Sequence, residues 1–506
     1  MHDDEIGFDN NKYLREQTQN IMERAAQFGN KLYLEFGGKL ISDYHAARIL
    51  PGFDPNGKLN LLKLLEEKIE VIVCIFAGDI ERKKMRADFG ISYDSDAMKL
   101  IDDLHEGEIN VTAVVVTRYN GQPVVKQFMN KLERRNIRVY THYPIKGYPT
   151  DIDRILSEEG YGANEYIKTT KPIIIVTGPG PGSGKMATCL SQIYHEYMRG
   201  KEAGYAKFET FPIWNLPLKH PLNLAYESAT ADLGDFNQVD PFHLEEYNVT
   251  AVNYNRDIEI FPVLKKIMSR IMGNKLTYKS PTDMGVNRAG FAIINDELVQ
   301  QAAKQELIRR YFRYSCEYAM GIADKKTVQR AELLMKELNL TPLDRKVVGE
   351  ARQASINAQE KGKGNEGVFA GAALELKDGT IITGNNSPLM HAASSLILNA
   401  IKVLACIPDN IHLLSPNILE AISNLKSDIF NQKRLSLNLE ETLIALSISA
   451  DFNPSAKVAM EMLKNLKGCE MHSTHIPTPG DEAGLRRLGL NITSDPSFSS
   501  NRLFIP

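Results

Sequence analysis

Residues 171–188 read Lys-Pro-Ile-Ile-Ile-Val-Thr-Gly-Pro-Gly-Pro-Gly-Ser-Gly-Lys-Met-Ala-Thr, and they constrain this 506-residue chain more than any other stretch. The apolar run Ile173 to Val176 fits a parallel strand buried on both faces. Beyond the glycines, apolar residues at Leu190, Ile193, Tyr194 and Tyr197 have helical spacing, which predicts a helix over Lys185 to Met198. A strand, a glycine turn and a helix that opens on lysine together form a phosphate cradle. The turn's N–H groups point inward, the helix start adds positive potential, and the lysine supplies a mobile charge. Gly178, Gly180, Gly182, Ser183, Gly184, Lys185 and Thr188 are therefore expected to hold a nucleotide or phosphate, with Lys185 also acting on a transferring phosphoryl group. Two positions depart from the strict pattern. Pro179 stands where its first glycine belongs, and Met186 replaces the hydroxyl that binds Mg²⁺.

Around this loop the first half alternates strands and helices. Strands are expected at Lys31 to Phe36, Val71 to Phe76, Val111 to Val116 and Ile137 to Thr141, with helices at Leu61 to Lys68, Ala97 to Leu104 and Pro123 to Arg135. That rhythm predicts an α/β fold, a doubly wound, mostly parallel sheet with helices on both faces. Ligands bind at strand C-termini in such sheets. Ala77-Gly78-Asp79 and Thr117-Arg118 fall at such ends. Further strands are expected within Ala206 to Trp214 and Val249 to Tyr254, and a helix over Ile258 to Met272.

From Asp296 to about Ala358 the pattern is helical, and Lys361-Gly-Lys-Gly-Asn-Glu-Gly is a glycine-rich linker. A hairpin follows, Val368 to Leu376 and Thr380 to Thr383 around Asp378-Gly379. Helices are expected at His391 to Ala405, Ile418 to Asn431 and Ser455 to Leu466. The expected organisation is an α/β phosphate-binding domain over 1–295, divisible near 168, a helical connector over 296–358 and a C-terminal α/β domain over 359–506.

The net charge of −3 gives no general argument for nucleic acid or a membrane surface, and no apolar run reaches a membrane span. Five scattered cysteines without C-x-x-C, and an acidic start without a signal-peptide core, point to a reducing cytoplasm. A symmetric homo-oligomer is expected, as is common for large cytosolic enzymes. His195-Glu196-Tyr-Met-Arg199 begins like the zinc motif H-E-x-x-H, but Arg199 replaces the second histidine, which excludes a zinc peptidase built on it. His472 and His475 lack a matching ligand cluster and read as ordinary polar residues. Arg309, Arg310 and Arg313 read as a solvated helix face.

The glycine loop and the segment Lys207 to Asp240, rich in Asp, Glu, Asn and Pro, resemble the synthetase domain of CTP synthase and dethiobiotin-synthetase-like P-loop enzymes. That resemblance implies ATP and Mg²⁺ as cofactors, with Glu227, Asp232 and Asp235 as metal ligands and Asp232 also catalytic. Ala372 to Asn385 followed by His391-Ala-Ala resembles the cytidine-deaminase fold, implying a deaminase-like C-terminal domain in which Asn385, Asn386, Ser387 and His391 could line a pocket. Ala393 replaces the glutamate proton shuttle, and Pro416-Asn-Ile-Leu-Glu420 lacks both cysteines, so deaminase zinc chemistry is not expected.

Over its whole length the chain resembles a family of conserved bacterial cytosolic proteins of about 500 residues without an assigned activity. Gly7 to Arg15, Phe36-Gly-Gly-Lys-Leu, Ala46 to Phe53, the Gly178 loop, Tyr278 to Phe291 and Gly367 to His391 carry the likeness. Some of its members bear the label ATP-dependent zinc peptidase; the glycine loop agrees with the ATP part and Arg199 disagrees with the zinc part. The expected function is nucleotide or phosphate binding, as an ATP-dependent ligase or kinase of a small metabolite or as a non-catalytic sensor of one.

Overall fold

The computed structural model describes residues 6–86, 91–209, 211–273 and 278–500. These form two compact units divided at 303/304. In the first, six parallel strands make one sheet: β1 (Leu32–Phe36), β2 (Ile69–Phe76), β3 (Val111–Thr117), β4 (Val139–Thr141), β5 (Ile173–Thr177) and β6 (Gly204–Phe208). Their spatial order is β4-β3-β2-β5-β1-β6. The strands are nearly continuous runs of β-branched residues because both sheet faces are covered.

Helices supply that cover. α1 (Asn10–Ala26) is capped by Asp9, which accepts from the Lys12 amide. α2 (Tyr93–Glu106) buries Ala97, Ile101 and Leu104 at helical spacing, and α3 (Pro123–Glu133) buries Val125, Phe128 and Leu132. α4 (Lys185–Met198) follows the glycine loop and packs across β1, β5 and β6. The loop strand β5 thus enters the sheet between two strands that precede it in sequence, β2 and β1. All six strands run the same way, so the turns after β1, β2, β3, β5 and β6 gather at one sheet edge.

Burial also sets a pH dependence here. His142 follows β4, and its amide donates to the Val116 carbonyl. Burial pushes its imidazole from 6.5 down to about 4, against the opposing pull of a hydrogen bond to the Glu165 backbone carbonyl. The folded form therefore binds this proton more weakly than the unfolded form. Its contribution to stability is full above about pH 6.5 and is lost as pH falls toward 4, up to roughly 3 kcal/mol. Thermal melts between pH 7 and 4 should show a shallower loss for His142→Gln than for wild type; an identical slope would place the proton elsewhere.

The segment after β6 departs from expectation. The strand sought in Ala206 to Trp214 stops at Phe208. The Asp-, Glu-, Asn- and Pro-rich stretch 207–240 holds a helix, α5 (Pro221–Ala229), which starts on proline and buries Leu222, Leu224 and Ala225. β7 (Asn237–Val239) and β8 (Val252–Tyr254) pair antiparallel as a separate ribbon outside the main sheet. α6 (Asn255–Met272) then packs on α4.

α7 (Asp296–Ala319) runs through the division at 303/304, and the second unit continues from Lys304 with α8 (Lys325–Glu337) next along the chain. It holds a four-stranded sheet of β9 (Gly371–Glu375), β10 (Ile381–Asn385), β11 (Glu470–Ser473) and β12 (Asn491–Ser494) in the order β10-β9-β11-β12. The β9–β10 pair is the expected antiparallel hairpin, turning at Gly379 with φ +85°. β9–β11 is antiparallel and β11–β12 parallel. α9 (Lys346–Glu360) covers one face so closely that a Cβ on Gly371 would lie 2.2 Å from the Ala351 carbonyl. α10 (Ala392–Leu404) covers the other, where a Cβ on Gly384 would lie 2.4 Å from the Leu396 amide. Its apolar face behaves as expected: Leu396, Leu398 and Ile401 are buried, and Leu404 packs against the same core. The segment expected as a connector therefore has its part from 304 onward within the C-terminal unit, with α9 laid directly on β9.

The arginines of α7 overturn the solvated-face expectation. Arg309 is buried and donates to Glu470 at 2.8 and 3.2 Å and to Glu306, while Arg310 lies 3.3 Å from Glu306 and Arg313 donates to Glu317 at 2.8 Å. Charge spacing along a helix cannot reveal a partner 161 residues away.

Candidate functional site

The glycine loop sits at the C-terminal edge of the parallel sheet, where the geometry explains its composition. A Cβ on Gly178 would lie 2.3 Å from the Cys74 carbonyl, one on Gly180 would lie 2.7 Å from the Tyr93 hydroxyl, and one on Gly184 would lie 2.8 Å from Thr117. Gly182 and Gly184 have φ of +73° and +93°, a conformation that glycine adopts at little cost. Gly184 caps α4 without any side-chain hydrogen bond, and the first-turn amides of a helix have no carbonyl within it to bond. The helix start is thus left open toward the loop.

Two cations end on this loop. Lys185 Nζ donates to the Gly180 carbonyl at 3.2 Å and to Ser183 Oγ at 3.4 Å. Arg118, just beyond β3, donates from Nη2 to the Gly182 carbonyl. Thr117 Oγ1 donates to the Ser183 carbonyl at 2.7 Å and ties the end of β3 to the loop. Among the described residues neither Lys185 nor Arg118 forms an ion pair with a carboxylate. In the same unit Lys58 closes on Asp43 at 2.9 Å and Lys207 on Asp257 at 2.6 Å, whereas Lys31 and Lys171 also end on backbone carbonyls. Below the loop, Thr177 Oγ1 is buried without a hydrogen-bond partner among the described residues.

Thr188 is fully buried and receives the Cys74 thiol at 3.4 Å, so its hydroxyl lies under the loop in the helix–sheet core. Burial lifts the Cys74 thiol to about 12 and also raises that of Cys189, so both stay protonated and unreactive.

Beside the loop a charge cluster, buried at Glu35 and Asp235 and open at Arg256, covers the ends of β1 and β6. Glu35 is in register with Val176 on the loop strand and with Lys207 on β6. Tyr205 donates to Glu35 at 2.6 Å, Lys207 reaches Asp257 and Glu209 at 2.6 and 3.2 Å, and Arg256 meets Asp235 at 3.0 Å. Burial raises the carboxyl pKa of Glu209 and Asp235. Burial acts to lower the Lys207 pKa, but Asp257, Glu209 and Glu35 outweigh it and raise it. Glu35 is not among the residues expected from the sequence, because it precedes the loop by more than a hundred residues; the cue available was the carboxylate breaking the apolar run Leu32 to Phe36.

The expected metal set is not assembled. Glu227, on buried α5, accepts the Asn237 amide at 2.9 Å and braces β7. Asp235 is occupied by Arg256, and Asp232 is exposed on a 3₁₀ turn. Among the described residues no group of three or more His, Cys, Asp or Glu side chains is arranged to hold a metal. Acidic composition could not separate a helix residue that braces a strand from a ligand. His195 Nε2 donates to the Asn164 carbonyl at 2.7 Å, and Glu196 receives the Tyr33 hydroxyl at 2.9 Å, so both members of the H-E pair are tied to neighbouring elements.

In the C-terminal unit His391 caps α10, with Nδ1 2.7 Å from Asp481 Oδ2. Asp481 is buried and also accepts the Leu439 amide at 2.8 Å and the Thr478 hydroxyl at 2.7 Å. Asn386 spends its amide on the Ala370 amide and the Val368 carbonyl, and Asn385 donates to the Asn386 carbonyl, so both stitch the chain after β10. Ser387 accepts the Met390 amide at 3.3 Å in a tight turn. His472 is buried, its Nδ1 2.9 Å from Thr493 Oγ1, and His475 pairs with Thr474.

The described residues therefore define an α/β protein whose parallel sheet carries a glycine loop bracketed by two cations. Two family models match it: Domain of unknown function DUF1846, N-terminal, over residues 6–339, and its C-terminal counterpart over residues 343–504. The chain belongs to the DUF1846 family. It is similar to a UPF0371 protein of Clostridium botulinum strain Alaska E43, 59% identical over 499 residues that cover 99% of both chains. UPF0371 proteins of strains Eklund 17B and Kyoto are 58% identical over the same length and coverage.

The Cys74 carbonyl gives a sharp test of the loop. Gly178→Ala forces a methyl group to 2.3 Å from a backbone oxygen that cannot yield without moving β2. Anion affinity should fall at least about tenfold, a 1.4 kcal/mol effect. Unchanged affinity by titration calorimetry would remove the 178–184 backbone from the site.

Proposed function

We propose that this protein binds a nucleotide or another phosphorylated small molecule at residues 178–185. The observation that carries the reading is that Lys185 and Arg118 both terminate on carbonyls of the one glycine loop at the open start of α4, with no carboxylate paired to either among the described residues. A phosphate brought to the open start of α4 would replace the neutral partners of Lys185 with charge-assisted hydrogen bonds. In the first form of the reading the ligand is ATP with its own Mg²⁺, and the protein is a ligase or kinase acting on a small metabolite. Lys185 would steady the transferring group, and the carboxylates beside β1 and β6, Glu35 foremost, would face the acceptor.

Met186 and the dispersed carboxylates of Glu227, Asp232 and Asp235 favour a second form, a non-catalytic sensor of the same class of ligand. A cytoplasmic homo-oligomer suits either. No described helix is long and apolar enough to cross a membrane. The test is a thermal-shift screen of nucleotides and phosphorylated metabolites, each with and without Mg²⁺. A ligand at a hundred times its Kd should add about 2.7 kcal/mol to the stability of the folded state. Turnover of that ligand would separate enzyme from sensor, and a screen in which no phosphate compound shifts the transition would overturn the proposal.

A further inference from the structure

We propose that Arg118 is a specificity residue that selects ligands carrying two or more linked phosphates over monophosphates. The proposal rests on the phosphate-binding reading of the loop and extends it to a substrate class. Arg118 has φ +52°, a left-handed conformation that is strained for a residue bearing a side chain. The surroundings enforce it. Thr117 is tied to the Ser183 carbonyl on one side, and the Tyr119 amide donates to the His142 carbonyl on the other. The guanidinium lies flat on the Phe76 ring, 3.4 Å from its centroid. That ring folds back over Gly78, where any Cβ would lie 2.5 Å from it. A strained backbone, an aromatic platform and a glycine that makes room for it thus hold one exposed guanidinium at the loop rim.

The two cations address different loop carbonyls. Lys185 is bonded to Gly180, inside the turn, and Arg118 to Gly182, two residues on and at most about 7 Å away along the chain. A single phosphate on the open start of α4 meets Lys185 and leaves Arg118 on its carbonyl. A second, linked phosphate reaches the rim and draws the guanidinium into a two-pronged contact that an ammonium cannot reproduce. The ligand class is therefore a nucleoside diphosphate or triphosphate, or another diphosphate ester.

Titration calorimetry of the full chain with ATP, ADP, AMP, tripolyphosphate and inorganic phosphate tests this. Wild type should bind ATP, ADP and tripolyphosphate at least tenfold more tightly than AMP and phosphate. Arg118→Asn, chosen because Asn tolerates left-handed backbone, should abolish that preference and leave AMP affinity within twofold. Arg118→Lys should keep only part of the preference, and gives the same reading if the Asn variant fails to fold. Equal losses for ADP and AMP, or no loss for either, while Lys185→Ala still weakens both, would overturn the role of Arg118 and leave the loop reading standing. Wild-type protein that binds none of the five probes would overturn both.

Discussion

Glu470→Gln should destabilise the C-terminal unit by about 3–5 kcal/mol, a large fraction of what holds a domain folded. Glu470 opens β11 and is wedged between two buried guanidiniums. Arg309 meets it through both arms at 2.8 and 3.2 Å, and Arg345 adds a further bond. Arg345 is 1% exposed, and its remaining donors are spent on Thr493 Oγ1 and the Met471 and Asn491 carbonyls. Removing the carboxylate charge leaves Arg345 buried without its carboxylate and Arg309 with Glu306 alone, and that penalty exceeds the value of the pair itself. Burial acts to raise the Glu470 pKa, but the two arginines outweigh it and lower it from 4.5 to about 2. The folded form thus holds this proton more weakly than the unfolded one. The stabilisation is present above about pH 4.5 and disappears as pH falls through 2. Urea unfolding of the full chain at pH 7 and pH 3 should show Glu470→Gln weakened at pH 7 and closer to wild type at pH 3. A loss below about 1 kcal/mol at pH 7 would mean that the cluster behaves as a solvated surface pair.

Lys185→Ala should cut the affinity for the phosphate ligand about 10- to 100-fold, the range expected for one charged hydrogen-bonding partner worth 1.5–3 kcal/mol. The fold should survive, because Lys185 bonds only to the Gly180 carbonyl and Ser183 Oγ of its own loop. Removing it also relieves a cation that lacks a carboxylate partner among the described residues, so the thermal midpoint of the unliganded protein should be unchanged or slightly higher. Calorimetry on the ligand found by screening, with a melt of both proteins, checks the two halves together. Equal affinity in wild type and variant would exclude Lys185 from the site.

What the sequence made legible here was local. The loop, its strand and its helix lie within 171–198, where glycine placement and apolar spacing carry the geometry directly, and the hairpin about Asp378-Gly379 was readable for the same reason. What was hidden depends on strand order. β5 inserts between β2 and β1, bringing Glu35 to the loop from 143 residues before Gly178, and no period or motif encodes that insertion; Arg118 was legible as a polar strand end, but its place against this loop was not. Composition misled where it stood in for contact. The acidic residues Glu227 and Asp235 support β7 and pair with Arg256, and Arg309 is a core ion rather than a solvated one. β11 and β12 were not expected because they are four residues each and polar at alternate positions, His472 and Thr493 being buried through bonds to each other.

The most direct measurement is a crystal structure of the protein with the phosphate compound that most raises its thermal transition. Phosphate oxygens within hydrogen-bond distance of the amides at the start of α4, with Lys185 turned from the Gly180 carbonyl toward them, are the predicted result. A ligand bound elsewhere, with the loop empty and Lys185 still on that carbonyl, would contradict it.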